Sequence, residues 1–181
     1  MLELIHNDLF IKIIANIVSL TGTLLYCYGR FKKDKSNVLT FTILSKIFAV
    51  LTYVILGTIA GAYAFLVHIP SNILAKVKED KKKKWHILFV IFEICYILIG
   101  ILTFPTEGIK AILICIASTI TLISIWYLNP QLMRLVSMPN SLLYLTFYFM
   151  VGNIIGGISE VLVISSNLLS YLKYRGGKSN G

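Results

Sequence analysis

Seven apolar segments follow one another along the chain, separated by short polar links. They cover roughly residues 9–29, 38–56, 60–77, 85–104, 109–128, 134–151 and 155–173. A helix needs about 20 mostly apolar residues to cross roughly 30 Å of hydrocarbon. The pattern therefore predicts an all-α membrane protein with seven transmembrane helices.

One stretch of the chain occurs twice. Residues 53–78 and 148–173 align without a gap at a constant offset of 95, and nine of the 26 positions are identical. The pairs that chance explains least are Gly57/Gly152, Gly61/Gly156, Ser71/Ser166 and Asn72/Asn167. Self-similarity at a fixed offset indicates an internal duplication.

The duplication predicts a domain plan. Two three-helix halves share one orientation when a single span separates them, and parallel repeats of this kind occur in secondary transporters. We expect a first three-helix repeat at 1–80, a linker helix (span four) at 81–107 and a second three-helix repeat at 108–181, in a 3+1+3 arrangement.

Composition supports a membrane protein. The 181 residues are 57% hydrophobic and 14% charged, with a mean hydropathy of +0.81, whereas soluble domains are about half apolar and a quarter charged. The net charge of +9 lies mostly in short links, which argues against a nucleic-acid partner. The sequence offers no metal cluster, nucleophile–base pair or phosphate loop, so we expect no cofactor, no metal and no enzymatic activity.

The basic residues predict the orientation. The links 30–37 and 76–84, Arg134 and the tail from Lys173 hold 14 of the 17 lysines and arginines, all on one face of a seven-span topology. Because cytoplasmic links are rich in Lys and Arg, the N-terminus is expected outside and the C-terminus inside. The run 81–84 is interpreted as a flank that fixes topology, with an anionic-lipid patch as the alternative.

Asn72 and Asn167 are the first candidates for a binding site. Each lies in an apolar span beside a serine, Ser71 or Ser166. If the halves pack about a two-fold axis along the membrane normal, the two amides face each other and offer hydrogen bonds to a polar solute. The alternative is that Asn and Ser only join neighbouring helices.

Glu160, His68 and Glu93 are ionisable residues within predicted spans. Glu160 and His68 share helix faces with Asn167 and Asn72, respectively. Such residues are functional candidates, although Glu160 at the outer interface and His68 as a packing residue are the alternatives. Glu93 is expected to be a hydrogen-bonded carboxyl at a helix or subunit contact, with proton coupling as the alternative.

Backbone and link residues complete the candidates. Pro70 removes a backbone donor in span three and is a hinge candidate. The paired Gly-x-x-x-Gly segments are either helix-packing faces or tight turns. Lys12 and Lys46 are expected near helix ends, with their ammonium groups reaching the interface.

The plan resembles the superfamily of PQ-loop, SWEET and SemiSWEET sugar transporters and PnuC-type vitamin-precursor transporters. The likeness rests on an Asn in spans three and seven and on Pro130-Gln131 within Asn-Pro-Gln-Leu. It implies that Asn72 and Asn167 contribute to a substrate site and that Pro130 and Gln131 belong to a gating hinge. The first half departs, because Lys35-Ser36 occupies the matching position.

A second resemblance is to the YgjV-type bacterial inner-membrane proteins. It is carried by Met133-Arg134, the 144–152 run, Gly156-Gly157-x-x-Glu160, Asn167, Leu56-Gly57-Thr58 and Ala60-Gly61-Ala62. This resemblance implies a bacterial inner (cytoplasmic) membrane location and a SWEET-like fold. It implies no particular substrate.

These observations favour a small-molecule facilitator that works by alternating access. Its expected partners are a neutral or weakly charged metabolite, the lipid bilayer and possible further copies of the chain. The alternative is a non-transporting receptor or assembly scaffold in which the polar pairs join helices. A membrane enzyme would require Glu93, Glu160 and His68 to share one cavity.

Overall fold

A computed structural model describes residues 2–81 and 85–174, with side chains described from residue 10 onward. This part of the chain folds into seven α-helices. They are α1 (Leu2–Arg30), α2 (Lys35–Ile55), α3 (Ile59–Lys81), α4 (His86–Glu107), α5 (Ile109–Tyr127), α6 (Pro130–Met150) and α7 (Ile154–Tyr174). Each corresponds to one predicted segment, so the all-α prediction is confirmed here. Lys82–Lys84, Arg175 and Lys178, which entered the orientation argument, lie outside the described residues.

Five helices in the described part are long and apolar enough to cross a membrane. These are α1 from Phe10, α2, α4, α5 and α7. Helices α3 and α6 have similar lengths but a lower mean hydropathy, because they carry polar side chains such as His68 and Asn72 in α3 and Arg134 and Asn140 in α6. These four side chains are buried within the protein, where a polar group can find partners.

The helices form a ring of neighbours. Each helix of the ring packs against the next one in the order α1, α2, α3, α5, α6 and α7, and α7 packs against α1. Helix α4 lies outside this ring and packs against α3 and α5. The ring leaves a central space bordered by six helices, and it is there that the candidate site lies.

The α2–α3 and α6–α7 corners have the same structure. Gly57 and Gly152 follow the two helices with φ of 68° and 77°. The N–H of Thr58 donates to the Tyr53 carbonyl (3.0 Å), and the equivalent bond from Asn153 measures 2.9 Å. This is the Schellman ending, which favours glycine at the left-handed position. These two glycines therefore form turns.

The second glycine of each pair has a packing role instead. A Cβ atom added to Gly61 would lie 3.0 Å from the Tyr53 ring and 3.1 Å from the Phe147 ring. One added to Gly156 would lie 2.4 Å from the side chain of Asn153. The first glycine of each segment thus forms a turn, and Gly61 lies on a helix-packing face, whereas Gly156 lies against the side chain of Asn153 at the start of its own helix.

The start of α6 repeats the start of α2. The side chain of Asp34 caps α2 by accepting a bond from the Asn37 N–H (3.1 Å), and Asn129 caps α6 through the Leu132 N–H (2.9 Å). The caps lie 95 residues apart, and both helices have 21 residues. The offset found in the sequence therefore recurs in local structure.

Two ends of the bundle can be distinguished. The α2–α3, α4–α5 and α6–α7 links lie together around one groove, which we call the Gly57 end. The α1–α2 and α5–α6 links lie at the opposite end, which we call the Arg134 end.

Gly57→Ala is expected to destabilise the protein by about 1 kcal/mol, since an L-residue strains the left-handed conformation. No atom lies within 4 Å of the added Cβ, so steric contact would not contribute. The measurement is thermal unfolding in detergent. The matched control, Gly57→Asn, should lose less because Asn tolerates this conformation. Equal stability of the Ala variant and the wild type would contradict the assignment.

Candidate functional site

A small polar cavity lies at the centre of the helix ring. Its volume is about 60 Å³, which is room for roughly four water molecules. Helices α1, α2, α6 and α7 provide most of the wall, with smaller contributions from α3 and α5. The polar side chains that define it are Ser45, Lys46, Asn140, Ser141, Tyr144 and Glu160.

Lys46 supplies a positive charge to this cavity. It lies near the middle of α2 and is 8% exposed, so its predicted position at a helix end was wrong. Lys46 is also near the middle of the predicted segment 38–56, and nine residues of α2 follow it, to Ile55. Its ammonium nitrogen lies 4.3 Å from the centre of the Phe65 ring and 5.3 Å from that of Tyr144. A cation over a ring face is stabilised by the π electrons.

Glu160 supplies a negative charge from the other side. It lies on α7, lines the cavity and is 7% exposed, so it is buried and does not reach water at the outer interface. Ser141 of α6 lines the same cavity as this carboxyl group. The Oε2 atom has no hydrogen-bond partner.

The two charges do not contact each other. Among the described residues, the ion pair within the 4.0 Å limit is Lys35–Glu79, at 3.0 Å. Lys46 and Glu160 are therefore more than 4.0 Å apart. Each charge is instead accompanied by an aromatic ring or a hydroxyl group. The cavity therefore contains an amino group and a carboxyl group, of opposite charge when ionised, that do not contact each other.

Asn140 connects α6 with α5 beside the cavity. Its Nδ2 donates to the Ala117 carbonyl (3.1 Å) and to Thr121 Oγ1 (2.9 Å). Thr121 also shares a hydrogen bond of 3.1 Å with the Tyr144 hydroxyl. The Oδ1 atom of Asn140 has no partner, so an acceptor remains free at this wall.

Sequence reasoning missed Lys46, Asn140 and Ser141. A signal was present, because the offset of 95 also pairs Lys46 with Ser141 and Ser45 with Asn140. Both pairs place polar side chains at matching points of two apolar segments. These pairs were overlooked because the two residues of each pair are not identical.

An aromatic cluster covers the cavity toward the Gly57 end. The rings of Tyr53 and Tyr148, which are equivalent in the duplication, lie 6.0 Å apart at an angle of 26°. Tyr53 also stacks on Phe65 at 5.2 Å. Residues of the two halves thus meet directly at this level.

Arg134 closes the opposite end. Its Nε donates to the Arg30 carbonyl (3.2 Å) and its Nη2 to the Lys32 carbonyl (2.7 Å), while Nη1 donates to Gln131 Oε1 (3.1 Å). The last carbonyls of a helix lack partners within it, and a basic side chain can satisfy them. Arg134 of α6 therefore holds the end of α1.

Two further side chains donate hydrogen bonds to carbonyls at or just after a helix end, one between α7 and α1 and one between α3 and α5. Tyr174 of α7 donates to the Phe31 carbonyl (2.8 Å), and Lys78 of α3 donates to the Trp126 carbonyl at the end of α5. Phe31 and Trp126 are 95 residues apart. The acceptors at the α7–α1 and α3–α5 seams are thus equivalent in the duplication, whereas the donors Tyr174 and Lys78 are displaced by one residue.

The other predicted binding residues lie away from the cavity. Within the described part of the chain, Asn72, Asn167, Ser71, Ser166 and His68 are buried but do not line it. The seven residues from Glu160 to Asn167 correspond to about 10 Å along the helix, which carries Asn167 past the cavity toward the Arg134 end. Their role in binding a solute stays a prediction.

Local contacts of these residues are modest. Asn167 Nδ2 donates to the carbonyl of Val163 (2.9 Å) in its own helix, whereas the Asn72 amide has no hydrogen-bond partner. The two amides therefore do not bond to each other. His68 packs against Tyr96 of α4, with ring centres 5.1 Å apart.

The proposed hinge residues are placed as follows. Pro70 lies inside α3 and Pro130 is the first residue of α6. Gln131 accepts the bond from Arg134 described above. Their contribution to gating also stays a prediction.

Glu93 lies at a contact between α4 and α5. The Thr119 hydroxyl donates to Glu93 Oε2 at 2.9 Å, which confirms the predicted hydrogen-bonded carboxyl at a helix contact. Neither Glu93 nor His68 lines the cavity that contains Glu160. No cluster of three potential metal ligands occurs among the described residues.

The outer surface of the bundle is apolar, in contrast to its interior. Ile87 and Leu102 of α4 are 78% and 74% exposed, and Val54 of α2 is 63% exposed. A polar interior inside an apolar exterior, built from several helices able to cross a membrane, defines a multi-pass membrane protein.

The chain belongs to the Imp-YgjV family, described as a bacterial inner membrane protein, which matches residues 13–178. It is therefore a multi-pass protein of the bacterial inner membrane. Comparisons with curated proteins and with solved structures gave no match.

Arg134→Lys is expected to destabilise the protein by about 2 kcal/mol, because a single ammonium group cannot reproduce the forked charge-assisted bonds of the guanidinium. Thermal unfolding in detergent measures the change. Lys173→Met, which removes an exposed positive charge near the same end, is the control and should change stability by less than about 0.5 kcal/mol. Equal losses in the two variants would contradict a specific role of Arg134.

Proposed function

We propose that this protein is a small-molecule transporter that works by alternating access and binds its solute in the cavity between Lys46 and Glu160. The observation that carries this proposal is that Lys46 and Glu160, which have opposite charges when ionised, line one cavity at the centre of the helix ring without contacting each other. Burying charged groups costs several kcal/mol unless a partner compensates. A solute that completes their interactions gives a physical reason for their position.

The repeat supports two moving units. In the proposed 3+1+3 plan, α1–α3 form one unit, α5–α7 form the other, and α4 connects them from outside the ring. Tyr53 and Tyr148 are equivalent residues whose rings contact each other, as expected of positions near a two-fold axis. The α3–α5 and α7–α1 seams are equivalent under the same operation.

The proposed orientation places the Arg134 end in the cytoplasm and the N-terminus outside. The described links at the Arg134 end contain Lys32 and Lys33, and Arg134 itself lies there, whereas Lys110 lies beside the links at the Gly57 end. Positive charge is enriched on the cytoplasmic side of inner-membrane proteins. In this proposal α3 and α6 also span the membrane, with their polar faces turned inward.

Two barriers would control access to the site. Tyr53 and Tyr148 form the barrier toward the Gly57 end, and the contacts of Arg134 with the end of α1 form the other. Since Arg134 belongs to the second unit and Arg30 and Lys32 to the first, opening this end requires these bonds to break. Pro70, Pro130 and Gln131 remain the proposed hinge residues.

Asn72 and Asn167 would act on the path beyond the cavity. They lie toward the Arg134 end, and the Asn72 amide and the Asn167 Oδ1 have no hydrogen-bond partner. A solute that leaves the cavity toward the cytoplasm would then meet both side chains. In this proposal Asn72 and Asn167 contact the solute as it passes through the protein, whereas the cavity binds it first.

Ala49→Phe is expected to abolish solute exchange, because Ala49 lines the cavity and a phenyl ring would fill it. The measurement is counterflow in proteoliposomes with a panel of sugars, nucleosides, vitamin precursors and amino acids. Leu51→Phe, on the exposed face of the same helix, is the control and should exchange solute normally. Exchange at wild-type rate by the Ala49 variant would contradict the proposed site.

Asn72→Ala and Asn167→Ala are expected to slow exchange while leaving binding in the cavity intact. Binding is measured as thermal stabilisation, which reaches about 2.7 kcal/mol at a ligand concentration of 100 times Kd. Strong destabilisation of both variants, together with no solute exchanged by the wild type, would instead favour a receptor or scaffold.

A further inference from the structure

The cavity carries one cation and one carboxylate on opposite sides of the helix ring. Lys46 belongs to α2 and Glu160 to α7. In the duplication Lys46 corresponds to Ser141, and Glu160 corresponds to Phe65. The two halves thus present unlike charges at inequivalent positions, so the cavity has a positive side and a negative side.

Each charge has an incomplete set of partners. Lys46 lies over Phe65 and Tyr144 without an ion-pair contact, and Glu160 Oε2 accepts no hydrogen bond although its side chain is 7% exposed. A buried polar group without a partner is costly. Both sites therefore call for a partner of opposite charge.

A solute that interacts favourably with only one of Lys46 and Glu160 does not fit this cavity. An anion would bind Lys46 but would leave Glu160 Oε2 without a donor and would be repelled by the carboxylate. A cation would bind Glu160 but would leave Lys46 without an acceptor and would be repelled by the ammonium group. A neutral polyol would face two charged groups that it can only hydrogen-bond.

The size of the cavity limits the solutes that can bind there. A volume of about 60 Å³ admits only a few non-hydrogen atoms in this conformation. Free polar atoms on the wall, such as Asn140 Oδ1, can accept bonds from an ammonium group. The rings of Tyr144 and Phe65 provide apolar surface for a short side chain.

We propose that the solute is a small zwitterion of the α-amino-acid class, with its carboxylate at Lys46 and its ammonium group at Glu160. This inference rests on the proposed function for the location of the solute and adds its chemical class. The arrangement completes both charges with one molecule. It also fixes the direction in which the molecule lies across the cavity.

The test compares ligands that differ in one charge. L-alanine, L-alaninamide (ammonium only), L-lactate (carboxylate only) and glucose are titrated against the wild-type protein in detergent by calorimetry. We expect L-alanine to bind and each single-charge analogue to bind at least about tenfold more weakly, since each loses a charge-assisted interaction. L-lactate or glucose binding as tightly as L-alanine, or no binding of L-alanine, would overturn the proposal.

Variants locate the two charges. Lys46→Met and Glu160→Gln should each weaken L-alanine binding at least about tenfold, whereas the matched controls Lys110→Met and Glu93→Gln should bind as the wild type does. Binding unaffected by the first two variants would overturn the proposed location. If either variant fails to fold, the ligand comparison on the wild-type protein still decides.

Counterflow in proteoliposomes separates this inference from the proposed function. Exchange of L-alanine that Ala49→Phe blocks would support both. Exchange of glucose but not of L-alanine would overturn the zwitterion and leave transport standing. Binding of L-alanine without any exchange would support the ligand class and contradict transport.

Discussion

The need to satisfy polar groups inside an apolar surrounding governs this structure. Lipid offers no hydrogen bonds, so each buried charge or amide must be served by the protein itself. Lys46 and Glu160 meet this requirement only in part, through ring faces and a neighbouring hydroxyl. The six-helix ring, the aromatic cover and the Arg134 contacts all serve to enclose these two charges.

The helices were predictable because they depend on local properties. The segment boundaries followed from apolar length. The capping residues Asp34 and Asn129 and the glycines at left-handed positions, which the structure shows at the helix ends, also act over a few residues. The start of α6 was placed late because Pro130 and Arg134 were taken as link residues. Arg134 instead lies inside the helix, where the end of α1 accepts its hydrogen bonds.

The site was less predictable, and the reason lies in the duplication. Comparison of the two halves draws attention to identical residues such as Asn72 and Asn167, which lie away from the cavity. Lys46 and Glu160, which line the cavity, lie at positions where the halves differ. Glu160 was identified because it is ionisable within a predicted span and shares a helix face with Asn167. Lys46 was placed near a helix end although the predicted segment 38–56 already had it near its middle. That it lines a cavity depends on which helices surround α2, and this is not a local property.

The non-identity of the two halves has a consequence for how such a protein can originate. A symmetric dimer of one three-helix unit places the same residue on both sides of its axis, so a lysine at position 46 would face a second lysine at position 141. Gene fusion frees the two copies to diverge, and this chain has serine there and a carboxylate in place of Phe65. In the proposed transporter this difference favours one direction for a polar molecule with unlike ends, whereas two identical halves would offer it two equal directions.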